Sequence, residues 1–215
     1  MANSSHQATN QSGSSAKGGS PFQEDVSLLS ALRERRSSRA LSDDPVEDDL
    51  IVELIEAARW APSSGNLQPW RFLIVRKPER LKLLHEALAR GNAWMKKAPI
   101  LVVVCANPTD DHIRDEKPYY LFDCGLAVEN LILRATSLGL VAHPTIGWDE
   151  GIVKRNLDIP DPVRVVTIVA VAHPGNVEEM DEDLQRREKS PRARKPLEEI
   201  ACWDEWTLPV TLPEC

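Results

Sequence analysis

Two short stretches carry side chains suited to binding and chemistry. Arg35-Arg36-Ser37-Ser38-Arg39 sets three guanidiniums within five residues, and Ala61-Pro62-Ser63-Ser64-Gly65-Asn66-Leu67-Gln68-Pro69-Trp70 sets hydroxyls and carboxamides around a bend. Guanidiniums so close repel one another unless an anion lies among them, and their planar forks suit a phosphate held by charge-assisted, bidentate bonds. Ser63, Ser64, Asn66 and Gln68 both donate and accept, which suits a flat heterocycle whose edge alternates carbonyls and N–H groups. A further basic cluster, Arg192, Arg194 and Lys195, lies near the far end and would close an anion site. Each motif also has a plainer reading. Cations at a helix C-terminus offset the macrodipole by about 0.3–1 kcal/mol each, which accounts for one arginine more comfortably than for several. The loop also reads as an ordinary helix-to-strand connection rich in turn formers.

The elements that would position these groups follow from apolar spacing. A first helix carrying Val26, Leu28, Leu29 and Leu32 is expected over 23–35, delivering the arginines at its end. Pro45 and the acidic residues after it open a second helix over 46–60. Pro62 and Pro69 stop that helix near Ala61 and begin a strand at Trp70, while Gly65 supplies positive φ in between. A strand over 70–76 is followed by a helix over 78–90, with Leu81, Leu84 and Leu88 at helical spacing. Ile100–Ala106 is a continuous, valine-rich run, as for a strand buried on both faces. The charged stretch 107–117 reads as a surface connection, with a lid as the alternative reading. The helix expected over 119–138 is apolar on most faces and must be buried nearly all round, in a central core or at a subunit interface. Strand-like runs over 139–148 and 163–173 flank a short helix over 150–156. Neither a G-x-G-x-x-G turn nor a Walker loop is present, so a nucleotide phosphate would be held by arginines. The expected fold is α+β, a mixed central sheet flanked by helices.

At 215 residues and 42% apolar content the chain can bury one substantial core without disulfides. One domain is expected over 23–215, behind a polar tail, 1–22, too poor in apolar residues to recover the entropy of ordering. Neither a signal peptide nor a membrane span is expected, so the Asn-x-Ser matches at Asn3 and Asn10 carry no glycosylation reading. Cys105, Cys124, Cys202 and Cys215 lie far apart with no C-x-x-C pair, which argues against a zinc site or a redox dithiol and for a reducing cytoplasm. Cys105 reads as a small core residue. The histidines are scattered, and no metal is expected. A formal charge of −7 argues against a nucleic-acid partner. Acidic residues over 42–56 and 178–188 read as solvated helix surface, and Lys96 with Lys97 as a solvated pair.

The pieces RRSSR, AARWAPSSGNLQPWRFLIV, APILVVVCA, DCGLAVENLILRATSLGL, LDIPDPVRVVTIVAVAHPG and RARKPLEEI, in that order, resemble the nitroreductase family of FMN-dependent oxidoreductases from about Val26 to Trp206. The resemblance implies that family's α+β fold and an intertwined homodimer with flavin sites at the interface. It also implies hydride transfer from NADH or NADPH, through FMN, to a nitroaromatic, quinone or similar flat acceptor by a ping-pong scheme. The hard chemistry belongs to the cofactor, so no catalytic side chain is required. By position, Arg35, Arg36 and Ser37 match residues that contact the phosphate and ribityl chain, and Arg39 matches a basic residue at the pyrimidine edge. One positive charge at about 4 Å, with an effective dielectric near 20, is worth on the order of 4 kcal/mol to an anionic flavin. Ser63, Ser64 and Asn66, joined by Gln68, match a ring-contacting loop presented across the dimer interface. Thr145, Ile146 and Gly147 fall where backbone groups cover the ring, and Arg192 and Arg194, with Lys195 competing, match a distal phosphate clamp. The stretch holding His143-Pro144 and Trp148 departs from a more glycine-rich family loop, and His143 reads as structural. Residues that choose the acceptor are expected within 107–120. Two other readings keep the pocket: a non-catalytic flavin carrier or regulatory protein, and a flavoenzyme of the same fold that dehalogenates, reduces enoyl groups or fragments flavin.

Overall fold

A computed structural model describes residues 27–209. They divide into a main unit, Leu28–Pro191, and a second unit that takes in residues 192–209 and is treated by itself. The expected polar tail, and residues 23–26 of the expected first helix, lie outside the described residues.

In chain order the main unit contains α1 (Ser30–Glu34), α2 (Asp48–Arg59), β1 (Trp70–Val75), α3 (Pro78–His85), β2 (Ile100–Ala106), β3 (Ile113–Arg114), β4 (Lys117–Pro118), α4 (Tyr119–Ser137), β5 (Val141–Thr145), α5 (Glu150–Leu157), β6 (Arg164–Ala172) and α6 (Glu182–Lys189). β1, β2, β6 and β5 form one sheet in that order. All of its ladders are antiparallel, where a mixed sheet was expected. The apolar run of β2 nevertheless has the cause given for it, burial on both faces. Ile100, Val102 and Val104 pack with α2 and α4 on one side, and Leu101, Val103 and Cys105 pack with α3 and α5 on the other. Helices on both faces therefore give an antiparallel strand the composition of a parallel one.

α2 begins on a turn carrying Asp48 and Asp49, suited to a helix N-terminus, and buries Ile51, Leu54 and Ala58 on one stripe. α4 buries Tyr120, Asp123, Cys124, Ala127, Val128, Leu131, Ile132 and Ala135, again a single stripe. Its outer face keeps Leu121 at 48% and Phe122 at 61% exposure, so within one protomer the helix is not enclosed all round. Cys105 and Cys124 are core thiols, pushed up by burial to about 11 and about 12.

α1 is shorter than its sequence suggests. It spans only Ser30–Glu34, and the chain is already extended at Arg35. Arg36 and Arg39 thus stand beyond a helix too short to hold a strong macrodipole, which removes the plainer account of the arginine cluster.

Candidate functional site

The expected site residues of the main unit form two groups, and no hydrogen bond or ion pair joins one to the other among the described residues. The first is built on the extended segment after α1. Ser42 N–H donates to the His173 carbonyl at 2.9 Å and Gly175 N–H to the Ala40 carbonyl at 2.9 Å, stitching this segment to the chain leaving β6. Arg36 donates to the carbonyls of Glu188 and Ser190, the latter at 2.8 Å, so it caps the end of α6. Its Nε also lies 3.7 Å from Glu188 Oε1, and the Glu188 side chain is only 9% exposed. The other Glu188 oxygen, Oε2, accepts the backbone N–H of Arg39 at 3.0 Å. Glu188 therefore does not belong to a solvated helix face, as its acidic surroundings suggested. It is the carboxylate on which the arginine segment is folded.

That arrangement spends Arg36 on the protein itself. Arg35 lies within 3.4 Å of Ser37 Oγ, and no carboxylate is in ion-pair range of the Arg35 or Arg39 side chains among the described residues. The one nearly buried carboxylate, Glu188, pairs with the guanidinium of Arg36 alone, and the surplus at Arg35 and Arg39 is positive. Beside it, the buried His143 places Nδ1 2.9 Å from the Ser38 carbonyl, which fixes Nδ1–H as the donor. Burial lowers the imidazole below its usual value; the Ser38 carbonyl and Glu188 oppose that shift, while Arg39 and Arg35 add to it, and the net direction favours the neutral ring. The structural reading of His143 holds. The Trp94 ring stands 4.5 Å from that of His143, and the Arg39 guanidinium lies 5.8 Å from the centre of Trp94.

Thr145, Ile146 and Gly147 lie at the end of the same strand. Thr145 is buried and gives its hydroxyl to the Ile168 carbonyl at 2.9 Å. Ile146 is 84% exposed, and Gly147 takes φ +97°, a conformation that favours glycine. Asn92 Nδ2 holds both carbonyls of this turn, at 2.6 Å from Ile146 and 3.1 Å from Gly147, and Ala89 N–H adds a bond to Gly147 O at 3.0 Å. The N–H groups of Ile146 and Gly147 have no protein acceptor among the described residues. They are donors available to a ligand.

The second group is the turn between α2 and β1. Gly65, Asn66 and Gln68 all take positive φ, at 56°, 58° and 50°. The turn ties itself together through Gln68 N–H to Ser63 Oγ at 2.9 Å and Gln68 Nε2 to Asn66 Oδ1 at 3.2 Å. Arg71 of β1 donates to the Gln68 carbonyl at 2.9 Å, and two more distant residues hold the turn. Ser64 N–H donates to Asp123 Oδ2 at 2.8 Å, and Ser64 Oγ pairs with His112 Nδ1 at 2.9 Å. Asp123 is 1% exposed; burial raises its carboxyl, opposed by the Ser64 N–H, with neighbouring Asp111 adding to the rise. Asp111 has one buried carboxylate oxygen, Oδ2, without a hydrogen-bond partner.

Arg192, Arg194 and Lys195 belong to the second unit and are exposed there, with Arg194 donating to the Ala193 carbonyl at 2.7 Å. Sequence reasoning missed Glu188, Asn92, Trp94, His112 and Asp123. A signal existed for Glu188: a cluster with three arginines calls for a counter-charge, and this one lies just ahead of the distal basic run. Asp123 was visible as a lone carboxylate on the buried stripe of an apolar helix.

Comparison with known proteins adds an independent line. The nitroreductase family model matches residues 32–91 and 79–173. A Thermus thermophilus protein named NADH dehydrogenase is 28% identical over 204 residues, covering 80% of this chain and 94% of that one. A Bacillus subtilis protein named FMN reductase [NAD(P)H] is 28% identical over 171 residues, covering 69% and 66%. A crystal structure described as an oxidoreductase containing FMN superposes with a TM-score of 0.78 at 31% identity, over 90% of this chain and 100% of that one.

Proposed function

The chain belongs to the nitroreductase family, and on that premise we propose that it is an FMN-dependent oxidoreductase that takes reducing equivalents from NADH or NADPH. The observation that carries this reading is the positive surplus at Arg35 and Arg39, beside exposed Ile146 and Gly147 N–H groups left without protein acceptors. Anionic phosphate on one side and a ring edge rich in acceptors on the other fit that donor set. Bound there, FMN would supply hydride acceptance from the nicotinamide and hydride delivery to a nitroaromatic, quinone or similar flat acceptor, in a ping-pong order.

The protein's part is to bind and orient. Arg35 and Ser37 would hold the phosphate and ribityl end. Arg36 shapes the segment through Glu188 and the α6 carbonyls rather than by direct contact. Arg39 would place positive charge at the pyrimidine edge, where the reduced ring is negative. Arg192 and Arg194, with Lys195 as a third, are further phosphate-binding candidates carried by the second unit. The loop residues Ser63, Ser64, Asn66 and Gln68 would contact the ring from a second copy of the chain. That assignment is supported by the exposed apolar residues Leu28, Leu29 and Leu32 around α1, and Leu121 and Phe122 on α4, which one protomer leaves uncovered. Residues 107–120, which include the small β3–β4 ribbon, would border the acceptor side through His112. Cys105, Cys124 and Cys202 are free thiols, which fits a cytoplasmic setting.

The test is the visible spectrum of the purified protein, followed by anaerobic addition of NADH or NADPH. Flavin bands that bleach are the expected result. A protein that neither carries nor takes up FMN overturns the proposal, and one that holds FMN but never bleaches replaces the enzyme with a carrier.

A further inference from the structure

Arg39 is held more firmly than a surface arginine without an ion pair has reason to be. Its backbone N–H is bound by Glu188 at 3.0 Å, and the carbonyl before it, that of Ser38, accepts from His143 at 2.9 Å. Its guanidinium lies over the Trp94 ring, whose other neighbour is the imidazole of His143, 4.5 Å away. His143 is anchored in turn, being buried on β5 and fixed in one tautomer by the Ser38 carbonyl. Trp94 sits in the 3-10 segment Arg90–Lys97, whose Asn92 holds the Ile146 and Gly147 carbonyls and whose Met95 is fully buried. One short segment therefore touches the pyrimidine-edge arginine and the ring-covering turn together.

We propose that Trp94, backed by His143, is a positioning residue that fixes the Arg39 guanidinium and through it sets how strongly the site prefers reduced over oxidised FMN. This rests on the reading of Arg39 given under the proposed function. The physical basis is that an aromatic face attracts a guanidinium without neutralising it. A carboxylate in the same place would hold the side chain equally well and cancel the charge that an anionic reduced ring needs. Neutral His143 supports the indole without adding a second cation beside Arg39. The stack thus reconciles two demands, a fixed arginine and an uncompensated charge.

The experiment compares the flavin-loaded wild type with W94L, W94F, R39Q and the W94L/R39Q double variant, by equilibration against a redox dye of known potential. W94L is expected to lose about tenfold in preference for reduced FMN, about 30 mV for a two-electron couple. W94F, which keeps an aromatic face, is expected to stay near wild type, and W94L to cause no further loss once Arg39 is gone. An unchanged potential in W94L, or an equal drop in the R39Q background, overturns the proposal. A second readout needs no flavin: exchange of the Arg39 Nε–H with solvent in the flavin-free chain is expected to quicken in W94L and not in W94F. If wild type binds no FMN, the functional reading fails, and unchanged exchange in W94L would then sink the anchor separately.

Discussion

The two halves of the candidate site are fixed in opposite ways. The arginine half is stitched by backbone bonds to the end of β6, tied to a nearly buried carboxylate and set over the Trp94 ring, which His143 backs. The loop half closes mostly on itself, with three positive-φ residues, the neighbouring Arg71 on the Gln68 carbonyl, and Asp123 and His112 as distant partners. Fixed charge demands a fixed frame, because guanidiniums without counter-ions drift toward solvent unless the backbone beneath them is immobile. Carboxamides and hydroxyls that read a ring edge tolerate small adjustments, since each rotates to suit its partner. The molecule spends its rigidity where the charge is.

The contrast can be broken first at Gly175. A Cβ there would stand 2.2 Å from the Leu41 carbonyl oxygen, a backbone atom that cannot step aside without pulling the arginine segment from its stitches. Gly175→Ala is expected to cost about 3 kcal/mol, at the upper end for overpacking, read as a lower denaturation midpoint with FMN affinity lost alongside it. Asp123→Ala strikes the loop half instead. It leaves the Ser64 N–H without its buried acceptor and should cost about 1–3 kcal/mol, with amide exchange quickened at Ser64 to Gln68 while the arginine segment keeps its protection.

Asp123→Asn sharpens the same point through pH. The carboxyl is raised in the folded state, so its contribution to stability is fully present below the unfolded value, about 3.9, and is lost as pH rises through the folded one. The stability of wild type minus that of Asp123→Asn, from urea midpoints at a series of pH values, should therefore fall with rising pH across that window. A flat difference would mean the buried carboxyl is not raised. The smallest effect is expected for His112→Ala, because the ring is exposed and its bond to Ser64 Oγ is replaced by water. About 0.5 kcal/mol in stability is anticipated, with any larger change confined to the KM for the acceptor.

What could be read from the sequence was whatever depends on neighbours along the chain. β2 runs over Ile100–Ala106 as its apolar run predicts, and Gly65 takes the positive φ that Pro62 and Pro69 left for it. The arginine cluster announced an anion site, but its geometry depends on a glutamate roughly 150 positions away, and local charge pattern assigned that glutamate to solvent. Trp94 was illegible for the same reason: its importance lies in Arg39 and His143, brought together by the sheet rather than by spacing. The mixed sheet was misjudged because continuous apolar content reports two covered faces, not strand direction.

Strand β2 has a consequence for how the protein fails. Its side chains alternate between the two helical layers, so each layer takes part of its wall from the same seven residues. Neither layer can melt and leave the other with a complete surface to pack on. Heat should take the main unit apart in one cooperative step, with calorimetric and van't Hoff enthalpies agreeing, and no half-unfolded form that retains one face of the sheet.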